Sequence, residues 1–181
     1  MGIDHETIGS DILAVVKILK LPEQILGLTD ARRLAEIDAK GWYPIELLLD
    51  LMEKLDREVG HYSLLRMGRT LFNLSHEARV GKQATCARDI VHGIDDMYRH
   101  SNRGRMIGGW EVLTFEPGNA ILEKTTPHHC VMEQGILSAA LSSVGCPGIV
   151  SQIQCFREGA DSCRYIISSS FTDERWAGVK G

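Results

Sequence analysis

No apolar run in this chain reaches the length of a membrane span, because Ile12 to Leu28 is interrupted by Lys17, Lys20, Pro22 and Glu23. Charge of one sign is also missing. Twenty Lys and Arg against 24 Asp and Glu leave a formal net charge of −4 and a pI near 6.0. That balance gives no electrostatic argument for binding nucleic acid or a membrane surface. The N-terminus has neither the basic n-region nor the apolar core of a signal peptide. Glu6 stands where a myristoylation start needs Ser or Thr. A cytoplasmic location, with no membrane and no nucleic-acid partner, is therefore expected. Catalytic signatures are absent as well: no Gly-rich phosphate loop, no nucleophile elbow, no His-Glu-x-x-His. Repeats and low-complexity tracts are missing too, so a binding or sensory role is expected ahead of an enzymatic one.

What the chain does have is an odd set of five cysteines among 181 residues. In a reducing compartment an odd count argues against a disulfide framework and leaves metal binding or plain burial. Two of them sit in a segment that reads as a β-hairpin: alternating residues to Phe156, a turn over 157–161, then β-formers again from Cys163. With Gly159 at the turn centre, Cys155 and Cys163 fall opposite each other, their Cβ atoms about 4.5–5.5 Å apart. Two thiols so placed can share a metal, form a disulfide or simply pack.

Periodicity divides the chain. Apolar residues at helical spacing predict helices over 4–19, from a Thr29 or Asp30 cap to Ala39, from Pro44 to Val59 with Gly60 closing it, over 61–75, and over 86–100. Character changes at 101–104. Strands are then predicted over Trp110–Phe115 and 120–125, separated by the turn residues Glu116-Pro117-Gly118-Asn119. A helix from Cys130 to Val144 precedes the cysteine hairpin. The order predicts an α+β fold: an antiparallel sheet covered by helices, with an N-terminal helical extension (1–41) ahead of a ligand-binding domain (42–181). Tyr98, Trp110, Phe115, Met132 and Ile136, with Met97 and Met106, are candidates to line an apolar pocket between sheet and helices. The same side chains would serve equally as an ordinary core. Gly108-Gly109 beside Trp110 suggests a bulge or a close backbone approach. The acids Glu158 and Asp161 read as turn residues, and Arg99, Arg103 and Arg105 as a solvated loop.

Three runs together carry a resemblance: Gly-Gly-Trp110-Glu-Val with Glu-Pro-Gly-Asn-Ala120, Pro127-His-His-Cys130, and Cys155-x-x-Glu-Gly-x-Asp-x-Cys163-x-Tyr165. Over roughly Trp42 to Ser169 the chain resembles the 4-vinyl reductase (hydrocarbon-binding) domain family. That family shares its fold with haem nitric-oxide sensors and a Golgi vesicle-tethering subunit. The resemblance implies a small-molecule-binding or sensory domain holding an apolar or aromatic ligand, with output through a partner or a homodimer. It also implies a structural zinc on Cys130, Cys155 and Cys163. In the aromatic-responsive sensors of the family a glutamate completes that site. Gln152 stands nearest that place here, so His129 is taken as the fourth ligand, imidazole and thiolate together suiting tetrahedral zinc. The alternatives are a tetrapyrrole carrier or enzyme of (bacterio)chlorophyll metabolism and a haem-based gas sensor. For haem, His76, His92 or His100 would supply the axial ligand, and Tyr98-x-x-Ser101-x-Arg103 is one residue longer than the propionate motif of the nitric-oxide sensors.

Overall fold

A computed structural model describes residues 5–19 and 22–178, without the side chains of residues 28–31. The cap expected from Thr29 or Asp30 rests on side chains outside that description. The chain opens with strand β1 (His5–Ile8), then α1 (Gly9–Ile18), α2 (Pro22–Leu26), α3 (Leu28–Ala35), β2 (Trp42–Pro44) and the long α4 (Ile45–Ser75). Next come α5 (Glu77–Val80), α6 (Ala87–Ser101), β3 (Asn102–Gly104), β4 (Trp110–Glu116) and β5 (Asn119–Lys124). The C-terminal part holds α7 (Cys130–Ser143), β6 (Ile149–Gln154), β7 (Cys163–Ser168) and α8 (Glu174–Ala177).

Among the described residues two antiparallel sheets form, in strand order β2-β1-β3 and β4-β5-β7-β6. The expected α+β architecture is present. The β4–β5 turn pairs Glu116 with Asn119 through Gly118 at φ 72°, which a glycine adopts at no steric cost. At the head of α6, Asp89 accepts from the backbone N–H groups of Thr85 (2.7 Å) and Cys86 (3.3 Å), and Ile90, Val91, Ile94, Met97 and Tyr98 face inward at helical spacing. Gly60 breaks α4 at φ 74°, ψ 167°, so one continuous rod is two helices joined at the expected glycine.

The first predicted helix starts later than its pattern suggested. Residues 5–8 are strand β1, with His5 and Thr7 buried, Glu6 paired with Pro44 on one side and with Arg103 on the other. Such partners lie far along the chain, where a local pattern has no sight of them. β1 is thus the middle strand of the small sheet, and the N-terminal helices share a core with α4.

Among the described residues there are two apolar cores. One joins Ile12, Val15, Leu48, Met52, Leu55, Leu64 and Leu71. The other sits under the large sheet: Val91, Ile94, Leu122, Leu137, Leu141, Tyr165, Ile167 and Trp176. Helix α7 belongs to both, with Val131 and Met132 in the first and Leu137, Ala140 and Leu141 in the second. Where α4 crosses α7, two glycines let the backbones meet. A Cβ on Gly68 would lie 2.0 Å from Met132 O, and one on Gly135 would lie 2.2 Å from Leu65 O.

Candidate functional site

Between the two cores lies a cavity of about 40 Å³. Its walls come from α1 (Asp11), α4 (Leu48, Met52, Leu71), the α4 terminus (His76), α6 (Ile94, Met97, Tyr98), Asn102, Trp110, His128 and α7 (Glu133, Ile136). The volume suits a water or two and is far below the ~300–1,000 Å³ of ordinary ligand pockets.

Its lining is mostly apolar, as expected, but buried polar groups are set into it. The Asn102 side chain organises one end: Nδ2 donates to Tyr98 O (3.0 Å), so Oδ1 accepts from Nε2 of both His5 and His128 at 3.1 Å each. That network assigns both rings as Nε2–H tautomers. Burial, then the nearby Lys124, His5 and His76, press the His128 pKa down to about 3. Tyr98 donates its hydroxyl to Ile107 O, and burial raises its pKa. At the other end His76 Nε2 lies 4.0 Å from Asp11 Oδ2, while His76 Nδ1 is buried without a hydrogen-bond partner among the described residues. Burial lowers the His76 pKa, Asp11 partly opposing, and burial raises that of Asp11, His76 partly opposing.

Beneath the cavity Lys124, with 0% exposure, pairs with Glu133 and donates to His128 O at 2.6 Å. Thr126 Oγ1 donates to Glu133 Oε1 at 3.2 Å. Burial pushes the Glu133 carboxyl up, and Lys124 holds it back.

A second cluster stands beside this ion pair. Cys130 opens α7, Cys163 opens β7, and Cys155 follows β6 before a short 3-10 turn that Gly159 closes at φ 95°. Register Gln154↔Arg164 brings Cys155 across from Cys163, as the hairpin spacing predicted. The Sγ atoms of Cys130 and Cys163 are 3.2 Å apart, those of Cys155 and Cys130 3.6 Å, and all three lie within 4.8 Å of one another. Burial pushes the Cys130 thiol up to about 12. At Cys155 burial acts in the same direction, but the Arg157 N–H and the neighbouring Cys130 and Gln152 side chains outweigh it and lower the pKa. The three thiols are the donor set that suits a soft or borderline cation.

The structure brings together Cys130, Cys155 and Cys163 but not His129. As the residue before Cys130 at the helix start, His129 projects to another side, and its Nε2 lies 3.3 Å from Asp56 Oδ2 on α4. Arg157 also reaches α4, pairing with Glu53 and, at 3.5 Å, Asp56. Of the predicted pocket residues, Tyr98, Trp110 and Ile136 line the cavity, with Met97. Phe115 does not: it stacks on Trp176 at 5.1 Å. Met132 packs in the helical core under Gly68, and Met106 is 85% exposed. Among the three histidines considered for haem, only His76 reaches the cavity, and His92 and His100 are exposed. Sequence reasoning missed Asp11, Asn102, Lys124 and Glu133. Glu133 did leave a signal, as the one charged residue of α7.

No family model and no curated protein matches the chain. Solved structures do. An H-NOX protein from S. oneidensis in its Fe(II)NO ligation state superposes with a TM-score of 0.69 at 17% identity, covering 90% of this chain and 99% of that one. The H-NOX domain from Shewanella oneidensis in its Fe(II)CO state gives 0.61 at 19% identity, covering 88% and 97%. Fe(II) unliganded H-NOX from K. algicida gives 0.66 at 12%, covering 90% and 96%. The chain has the H-NOX fold. The nitric-oxide-sensor fold expected from the resemblance is therefore present, while membership of the 4-vinyl reductase family has no family match behind it.

Proposed function

We propose that this chain is a sensory domain that binds a small molecule in the seam between its two cores. The observation that carries this reading is the cavity itself. It is lined from both halves, mostly by apolar side chains with a few polar groups among them, and is too small as closed for anything beyond a water or two. A larger ligand fits only if the halves part, so binding is coupled to a change in their packing, the requirement for a ligand-driven switch. The apolar or aromatic ligand class belongs to this proposal, with Trp110, Ile136 and Met97 as its apolar contacts. Three thiols on α7 and the β6–β7 hairpin hold a structural zinc beside the seam in the same reading.

Gas sensing through haem is the other reading, and it is the one that the structural neighbours favour, since these are iron-bearing H-NOX domains; the unpartnered Nδ1 of His76 supports it further. Haem, like an aromatic ligand, exceeds the closed cavity and enters only if the halves part. Among the described residues that line it there is no Lys or Arg to meet the propionates, the acids Asp11 and Glu133 being there instead.

Titration with hemin, read in the Soret region and paired with native mass spectrometry, decides between the two. The first reading expects no saturable Soret band, about one zinc per chain, and a retained small molecule or a thermal shift on adding small aromatic compounds. A stoichiometric Soret band that His76→Ala abolishes replaces it with the haem reading. A chain that retains nothing and responds to neither class sinks both.

A further inference from the structure

The thiol cluster supplies three ligands, whereas a closed structural zinc site needs four. Among the described residues only Cys130, Cys155 and Cys163 converge. Each local candidate for the fourth place is engaged elsewhere or unsuited. His129 turns away from the thiols toward Asp56 on α4 (3.3 Å), its ring nitrogens buried without a hydrogen bond among the described residues, and the His128 ring bonds Asn102 on the cavity side. Gln152 lies beside Cys155, but its amide nitrogen donates to Gln154 O (3.2 Å), which leaves only a neutral carboxamide oxygen, a poor partner for a thiophilic cation. Cys130 and Cys163 are buried while Cys155 is half-buried, so solvent reaches the cluster past Cys155. Three thiolates around a divalent cation would carry net negative charge, and Lys124 and Arg157 are the cations whose fields reach Cys130.

We propose that this is a three-thiolate metal site with an exchangeable fourth position, open to a small external soft ligand of the thiol class. A divalent cation binds as the three thiols release their protons, and water fills the fourth place. An incoming thiol displaces that water and releases its own proton to solvent. The proposal rests on the reading that the thiols hold a metal, and it adds that the chain does not saturate it.

Cobalt(II) loading tests it, because thiolate-to-cobalt charge transfer counts the sulfur ligands and the d–d bands report the fourth. The expected result is a charge-transfer intensity that falls by about a third in Cys155→Ser, and d–d bands that shift saturably on adding mercaptoethanol. Gln152→Cys, which supplies a fourth thiolate from the chain, should raise the charge-transfer intensity and abolish the shift. His129→Ala should leave the wild-type spectrum and its shift intact. Far-UV circular dichroism establishes that each variant is folded. Wild-type bands that ignore mercaptoethanol, or that change in His129→Ala, overturn the open position while leaving the metal reading standing. Absence of any thiolate-to-cobalt band in folded wild-type protein overturns both.

Discussion

Lys124 has no exposed surface and is held by Glu133, by His128 O and, 5.7 Å from its Nζ, by the Phe156 ring. Breaking a buried pair from one side leaves the other charge desolvated and unmatched. Lys124→Met should therefore destabilise the protein by about 3–5 kcal/mol in urea unfolding, and adding Glu133→Leu should recover most of that loss. His76 gives a pH prediction. Burial first, against Asp11 and with Arg79 and His100 adding to it, sets its folded pKa below the ordinary value. The neutral ring therefore favours the folded state above the unfolded pKa of about 6.5, and that contribution is lost as pH falls below it. Asp11, whose pKa is raised, acts with the opposite sign, losing its contribution as pH rises through its folded value. The difference between wild type and His76→Gln reports the histidine together with its effect on Asp11: unfolding free energies from urea melts at pH 7 to 5 should fall more steeply in wild type, by up to about 1.4 kcal/mol per pH unit. Equal slopes would exclude His76 as a buried neutral ring. At this scale the cysteines were legible because hairpin spacing alone places Cys155 opposite Cys163. Asp11 and Asn102 were not, since a short polar residue in a helix or at its end reads as a cap until its distant partners His76 and His128 are seen.

Single glycines decide the geometry of whole elements. The α4–α7 crossing at Gly68 and Gly135 is backbone against backbone, so an added methyl meets a carbonyl oxygen that has nowhere to retreat. Gly68→Ala should cost about 1–3 kcal/mol by overpacking, read from the same unfolding curves. Gly60 differs in kind. A Cβ there meets nothing within 4 Å, but φ 74° with ψ 167° is a backbone region that side-chain-bearing residues rarely occupy. Gly60→Ala should also lose about 1–3 kcal/mol, here from strain and not contact. The Gly60 break was readable from the sequence because glycine follows an uninterrupted apolar period. The same held for the β4–β5 and β6–β7 hairpins, where turn residues lie between β-formers. β1 and β3 were not readable. Each is only three or four residues long, and their pairing is set by a sheet that joins residues 5–8 to 102–104.

Across the whole molecule, the hairpin with the thiols is tied to the helical half by Arg157, which reaches Glu53 and Asp56 on α4. These side chains remain a third to a half exposed, so solvent screens the pairing and Arg157→Ala should change stability by less than about 1 kcal/mol. A larger loss would mean that the contact holds the two halves together rather than decorating their boundary.

Helix α7 starts at Cys130, passes the cavity at Glu133 and Ile136, and ends in the sheet core at Leu137, Ala140 and Leu141. A metal at one end and a guest in the seam, as proposed, would lean on the same two turns of one rigid rod. Free energy is a function of state, so any preference the guest has for one setting of that rod is returned in full. If seam occupancy changes metal affinity by some factor, metal occupancy changes guest affinity by the same factor. The domain would then report two chemical quantities at once, each setting the gain with which the other is read.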